Sequence, residues 1–374
     1  MINNTDMRTL SRFLGFAFLV FLPLAWFPGC STEQAAPEYD AASDSLRFEG
    51  ETHLRNVKQM TFGGNNAEAY WSFDDEKIVF QSDWSEINDQ GCDQIYVMDT
   101  TGSGEYTLVS TGMGRTTCSY FLPDGRIIFG STHAAAKECP APVTMGQGRY
   151  VWPIYDSYDI YVADADGSNL ELLIGGEGYD AEATVSPDGK WIIFTSTRSG
   201  DLELWRYEMA TGEVLQLTSG LGYDGGAFFS PDSQRIVWRA SRPEGEAADV
   251  YKSLLAEGLV EPSALNLFTA DIDGSNVVQV TDLPGANWAP FFHPSGEKII
   301  FTTNHHEDNG RGRIFDLFMI NADGTGLEQI THSGTFDGFP MFSNDGKRIA
   351  FASNRNVSRT DSRDTNVFVA DWVE

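Results

Sequence analysis

One pattern recurs six times after residue 60, and it constrains this chain more than any other feature. The fullest copy runs Thr184-Val185-Ser186-Pro187-Asp188-Gly189-Lys190-Trp191-Ile192-Ile193-Phe194, then Glu203-Leu204-Trp205-Arg206-Tyr207, then Val214-Leu215-Gln216-Leu217-Thr218. Each copy is anchored by a turn such as Pro123-Asp124-Gly125, Pro231-Asp232-Ser233 or Asn344-Asp345-Gly346. Pro presets the first turn dihedral, and Gly or Asn accepts the left-handed one. An apolar triplet follows, for example Ile78-Val79-Phe80, Ile236-Val237-Trp238 or Ile299-Ile300-Phe301, as expected for the buried middle of a sheet. A third strand and a turn such as Asp164-Ala165-Asp166-Gly167 lead to a fourth strand. Four short strands joined by tight turns make one propeller blade.

The sixth copy stops at Trp372-Val373-Glu374, after its third strand. Asn56-Val57-Lys58-Gln59-Met60-Thr61 matches the missing fourth strand, as comparison with Gly326-Leu327-Glu328-Gln329-Ile330-Thr331 shows. The expected fold is therefore all-β, a six-bladed β-propeller whose N-terminal strand closes the last blade. Closure removes two open sheet edges. The expected organisation is a signal peptide over 1–29, a lipidated Cys and tether over 30–54, and the propeller over 55–374.

These turns and triplets resemble the TolB-type propeller repeat, which also occurs in the propellers of prolyl-oligopeptidase-like peptidases. The resemblance covers 55–374 and implies the fold rather than an activity, because propellers host many functions. TolB carries a separate α/β domain before its propeller, where this chain has the 30–54 tether.

Arg8 and Arg12 precede an apolar run from Phe13 to Phe27, the layout of an export signal. The run ends at Pro28-Gly29-Cys30-Ser31, which resembles a bacterial lipoprotein box, with Phe27 and Pro28 where a Leu and a small residue are usual. The resemblance implies lipidation of Cys30, and Ser31 resembles an outer-membrane sorting residue. The expected location is the bacterial cell envelope, anchored to the outer membrane and facing the periplasm or the cell surface. The Ala/Ser/Glu-rich stretch from Thr32 to Ser45 reads as a flexible tether.

A net charge of −29 excludes the basic face that nucleic acid requires. The membrane is expected only through the lipid anchor, and the protein is expected to be monomeric. In an oxidising compartment the three remaining cysteines imply one disulfide and one free thiol. Cys92 and Cys139 fall in corresponding loops of blades 1 and 2 and are the preferred pair, with Cys118 buried on an inner strand.

Length variation concentrates in the loops of one face. Blade 2 inserts His133–Ser157, blade 4 inserts Pro243–Ala264 with a short helix over Ala247–Glu257 ended by Gly258, blade 5 inserts His305–Arg313, and blade 6 inserts Asn356–Thr365. Elaborated loops on a rigid scaffold are where binding residues gather. Two aligned columns fall on this face. Glu68, Thr116, Asp180, Asp224, Asn287 and Asp337 begin the inner strands, with Glu68 placed by a one-residue gap; Trp84, His133, Arg198, Arg242, His305 and Arg355 follow the second strands. Either each Asp pairs with a nearby Arg or His and ties one loop to the next, or the groups converge on a polar-ligand pocket. The candidate channel-mouth set is Glu68, Tyr70, His133, Asp180, Glu182, Arg198, Asp224, Arg242, Asn287, Trp288, His305, Asp337 and Arg355, with Tyr179, Tyr223 and Trp288 as stacking surfaces.

Catalytic signatures are sparse. No Gly-x-Ser-x-Gly elbow or His-Glu-x-x-His motif occurs. The Asp-x-Asp-Gly turns lack the twelfth-position Glu of a calcium loop and read as hairpin turns. Of six histidines, His133, His305 and His306 are the set that a resemblance to oligogalacturonide lyase would assign to a metal. The expectation is a protein without a cofactor that recognises a polar small molecule, an oligosaccharide or an envelope protein. A carbohydrate-active, metal-assisted lyase is the alternative.

Overall fold

The computed structural model describes residues 44–141, 149–355 and 364–374. The signal segment, Cys30, most of the tether and most of the blade 6 insertion lie outside the described residues.

Six four-stranded antiparallel sheets form the blades of a β-propeller. The inner strands are Asn66–Trp71, Thr116–Phe121, Asp180–Val185, Asp224–Phe229, Asn287–Phe292 and Asp337–Phe342. The apolar triplets occupy the second strands, and their aromatic members Phe80, Phe129, Phe194, Trp238, Phe301 and Phe351 are all fully buried. Burial of each such side chain contributes on the order of 1.5–3 kcal/mol. The face of the ring with Pro-Asp-Gly turns stays tight, because Ser, Asp and backbone groups satisfy one another there; Ser186 Oγ, for instance, donates to Asp188 at 2.7 Å and accepts from Trp191 N–H at 3.0 Å.

The ring closes as the repeat predicts. Leu54–Gln59 pairs antiparallel with Asn366–Trp372, from Leu54 opposite Trp372 to Gln59 opposite Phe368. Residues 44–54, read above as the end of the tether, are bound to blade 6 instead. Asp44 accepts from Val57 N–H at 3.1 Å, and His53 stacks on Trp372 with ring centroids 4.9 Å apart. Arg355 sits between two carboxylates, bonding Glu51 at 2.9 Å and Asp337 at 3.0 Å, and all three side chains are fully buried.

The two large insertions meet across the other face. Helix α1 (Glu246–Ala256) turns at Gly258, whose φ of 70° needs no Cβ. The chain then pairs Leu259–Val260 with Trp152–Pro153 of the blade 2 insertion, and Ile154 N–H donates to Gly258 C=O at 2.7 Å. This small sheet forms a roof. Cys92 and Cys139 are joined in a disulfide that ties blade 1 to the same insertion.

Candidate functional site

The acidic and basic columns form ion pairs within single blades. Arg198 bonds Asp180 at 2.8 Å, Arg242 bonds Asp224 at 2.7 Å, and Arg355 bonds Asp337. The three aspartates are at most 1% exposed. In blade 5, Thr303 Oγ donates to Asn287 at 2.6 Å and lies 3.3 Å from His305 Nδ1; in blade 2, His133 Nδ1 lies 2.8 Å from Ser131 Oγ. In blades 3 to 6 these bonds fasten the second strand to its own inner strand, whereas in blade 2 His133 bonds only within its own segment. Burial raises the pKa of Asp224 despite the Arg242 guanidinium beside it.

His133 belongs to blade 2, whereas His305 and His306 both pack on Phe318 of blade 5. In a ring of six those blades are opposite, so the three imidazoles cannot share one ion. Among the described residues no group of three or more His, Cys, Asp or Glu side chains is placed to hold a metal.

A different column faces the channel. The third residue of every inner strand is Glu68, Cys118, Glu182, Gly226, Ala289 or Phe339, and each has φ between 47° and 58°. Pairing with the second strand slips at that point in all six blades. These are β-bulges, which bend a strand and re-aim a side chain. Left-handed backbone costs a non-glycine residue on the order of 1–2 kcal/mol, and bonds from the preceding blade offset it. Cys118 N–H donates to Gln81 at 3.2 Å, Gly226 N–H to Glu182 at 2.9 Å, and Phe339 N–H to the Thr302 hydroxyl at 3.1 Å. The first column thus takes Asn66 without any gap, and Glu68 belongs two residues further on, in the bulge ring.

Above the bulge ring lies a cavity of about 600 Å³ under the roof. Its walls are aromatic, with Trp152, Tyr158, Tyr179, Tyr223, Trp288 and Phe339 prominent. Trp288 meets Phe339 edge-on at 4.7 Å and Trp152 at 6.1 Å. Such contacts hold ring orientations to about 0.5–1.5 kcal/mol each. Of the candidate set, Glu68, Glu182 and Trp288 line this cavity, and Tyr70 lines a smaller one of about 30 Å³ among the bulge residues.

The floor is charged. Arg239 reaches it from the second strand of blade 4, past Gly226, where any Cβ would overlap the guanidinium. Glu182 accepts from Arg239, from Tyr223 OH at 2.6 Å and from Thr195 at 2.7 Å. Burial alone would raise the Glu182 pKa, but Arg239 and these donors bring it below the ordinary value. Burial and the Glu182 charge act oppositely on Arg239, and its pKa ends raised. Glu68 has no such donor set. Among the described residues its Oε2 is buried without a hydrogen-bond partner, and burial pushes the pKa up to about 7 against the lowering effect of a hydrogen bond from the Cys118 thiol to the carboxyl. Arg239 Nε is likewise buried and unpartnered.

Arg239, Cys118 and Trp152 were not among the candidates. The signal for Arg239 was a Gly225-Gly226 pair opposite a charged residue directly after the apolar triplet Ile236-Val237-Trp238; Cys118 and Trp152 had no comparable mark.

Comparison with solved structures fits this architecture. A protein from Agrobacterium tumefaciens, solved under the TolB name, aligns over 85% of this chain and 97% of its own, with 17% identity and a TM-score of 0.54. The fold is that of a TolB-like six-bladed propeller. TolB from Acinetobacter baumannii aligns over 72% of this chain with 22% identity and a TM-score of 0.50, and the match spans 55% of that protein. An oligogalacturonate lyase from Vibrio parahaemolyticus reaches a TM-score of 0.49 at 11% identity. By sequence, an uncharacterized protein of Agrobacterium fabrum is 28% identical over 149 residues, which is 38% of this chain and 46% of that relative. The chain thus spans about half the length of the curated relative it matches. No protein-family model matches.

Proposed function

We propose that the protein is a non-catalytic recognition module that takes a polar ligand, or a segment of an envelope protein, into the roofed aromatic cavity at the channel mouth. The cavity carries this reading: it has the size range of a small-molecule site, aromatic walls and a few converging polar groups. Its wall residues come from several blades and both large insertions, so an occupant would bridge the parts of the molecule that vary most in length. The paired aspartates serve the scaffold, and specificity falls to the bulge ring, Arg239 and the aromatic walls.

The location belongs to the same proposal. The layout of residues 1–31 supports an envelope lipoprotein anchored through Cys30, and labelled palmitate should be incorporated by the wild type but not by Cys30→Ser. For recognition, a thermal-shift screen of oligosaccharides and short peptides is the direct test. A hit should lose its effect in Trp152→Ala, whose indole is only half-buried in the roof and can be removed without opening a blade. A hit unaffected in Trp152→Ala and Trp288→Ala would place the binding site elsewhere.

A further inference from the structure

We propose that the floor of this cavity is a subsite for a primary ammonium group, presented by the free N-terminus of a peptide. The inference rests on the cavity being the recognition site. Glu68 is aimed at the channel by its bulge, and its Oε2 has no partner among the described residues. A buried carboxylate oxygen without a donor is costly, and a ligand that supplies one gains what the protein lacks. The charges at the floor favour a cation. Glu68, Glu182 and Arg239 meet there, but the guanidinium is already engaged by Glu182 and by Tyr223 OH. The remaining unbalanced group is an acid.

The surroundings suit the same occupant. Ring faces attract an ammonium group, and the walls above Glu68 carry Trp152, Tyr158, Tyr179 and Tyr223. Arg239 already lies 5.5 Å from the centroid of the Trp152 ring and 5.0 Å from that of Tyr223, so the site accepts cation–ring contact. Arg239 Nε supplies the second half of the match. An unpartnered acceptor and an unpartnered donor on one floor correspond to the ammonium and the first carbonyl of a peptide N-terminus. A lysine side chain offers the first without the second.

The groups facing Glu68 are the Cys118 thiol, Glu182, Arg239, the Tyr70 hydroxyl, whose pKa burial and the Glu68 charge raise, and Asp93, which is paired with Arg115 at 3.4 Å. Glu182 is compensated by Arg239, whereas burial raises the pKa of Asp93 despite Arg115, so the Glu68→Gln comparison isolates the share of the charge that Glu68 itself presents to an amine. Affinity for an amine should therefore rise as pH increases towards 7.5 and fall as Glu68 takes up its proton below about 7.

The test is calorimetric titration of the full chain at pH 7.5 with three probes: Gly-Tyr-Gly-amide, its N-acetylated form, and N-acetyl-lysine-amide. The expected result is at least about tenfold tighter binding of the free-amine peptide than of the acetylated one. The advantage should vanish in Glu68→Gln and shrink at pH 5.5. Equal binding of the free and acetylated peptides overturns the ammonium subsite while leaving the cavity reading in place. N-acetyl-lysine-amide binding as tightly as the free-amine peptide overturns the N-terminal assignment in favour of a side-chain amine. No binding of any probe overturns the subsite, and the Trp152→Ala screen then judges the cavity separately. Circular dichroism checks each variant; if Glu68→Gln does not fold, Glu68→Asp, which keeps the charge but withdraws it by one methylene, should weaken the free-amine peptide selectively.

Discussion

Replacing Glu68 by Gln should stabilise the protein at alkaline pH and leave it unchanged in acid. The carboxyl has an ordinary pKa of 4.5 and is raised in the fold to about 7, chiefly by burial. Between those values the folded state holds a proton that the unfolded state has lost, so stability falls as pH rises. A gap of roughly 2.5 units at 1.36 kcal/mol per unit corresponds to about 3 kcal/mol, lost progressively between pH 4.5 and 7 and constant above. Gln keeps the shape and an acceptor but cannot ionise. Below pH 4.5 the two proteins should melt together; at pH 8 the variant should be more stable by up to about 3 kcal/mol, a Tm several degrees higher for a domain of this size. Glu203 and Asp316 are also raised to about 7, mainly by burial, and add slope of the same sign. Both remain in the variant, so they cancel in the difference. Thermal unfolding of wild type and Glu68→Gln at half-unit steps from pH 4 to 8.5 measures it. A difference that does not change with pH, or a wild type more stable than the variant at pH 8, would refute the assignment of Glu68 as an uncompensated buried acid.

Other consequences can be measured in the same way. Arg355→Ala leaves Asp337 and Glu51 buried without their cation and should cost about 3–5 kcal/mol in denaturant unfolding; a loss below ~1 kcal/mol would contradict the burial of both carboxylates against this guanidinium. Cys92→Ser with Cys139→Ser opens a loop closed across 47 residues, and a loss of about 2–4 kcal/mol is expected, with weaker binding of any ligand that touches the roof. Phe351→Ala empties a fully buried site in the second strand of blade 6 and should cost about 3–5 kcal/mol, read as a lower midpoint at unchanged m-value. Asp224→Ala should lower Tm rather than remove binding, because its carboxylate is spent on Arg242 and Trp238.

The fold was legible because its signals are local and repeated. A turn that needs Pro, Asp and Gly, followed by a β-branched and aromatic triplet, marks one blade, and the orphan strand at 56–61 marks the closure. The site was less legible because its defining feature is a backbone conformation rather than a residue type. Glu, Cys, Glu, Gly, Ala and Phe share no chemistry, so nothing in the letters marks 68, 118, 182, 226, 289 and 339 as one ring. A one-residue gap sets Glu68 beside Asp180 and Asp224 in the letters, whereas strand register makes Asn66 the counterpart, since Asn66 lies opposite Ser82 as Asp180 lies opposite Ser196. Acid and base columns one blade apart could not be told from acid and base columns within a blade. The roof leaves no mark in the sequence for another reason: strands as short as Trp152–Pro153 and Leu259–Val260 carry no periodicity, and each pairs only with the other.

The seam of the ring also dictates an order of events. Leu54–Gln59 is made first and finds its partner last, since Asn366–Trp372 lies more than 300 residues away. Every blade can collapse from neighbouring segments, but the circle stays open until the final strand arrives. Through that interval blade 6 presents one bare edge, and Glu51 waits without Arg355. Contacts this distant in sequence are slow to form. The beginning of the chain thus serves as the keystone, and an interruption anywhere near residue 370 leaves a completed arc of blades with nothing to hold its two ends together.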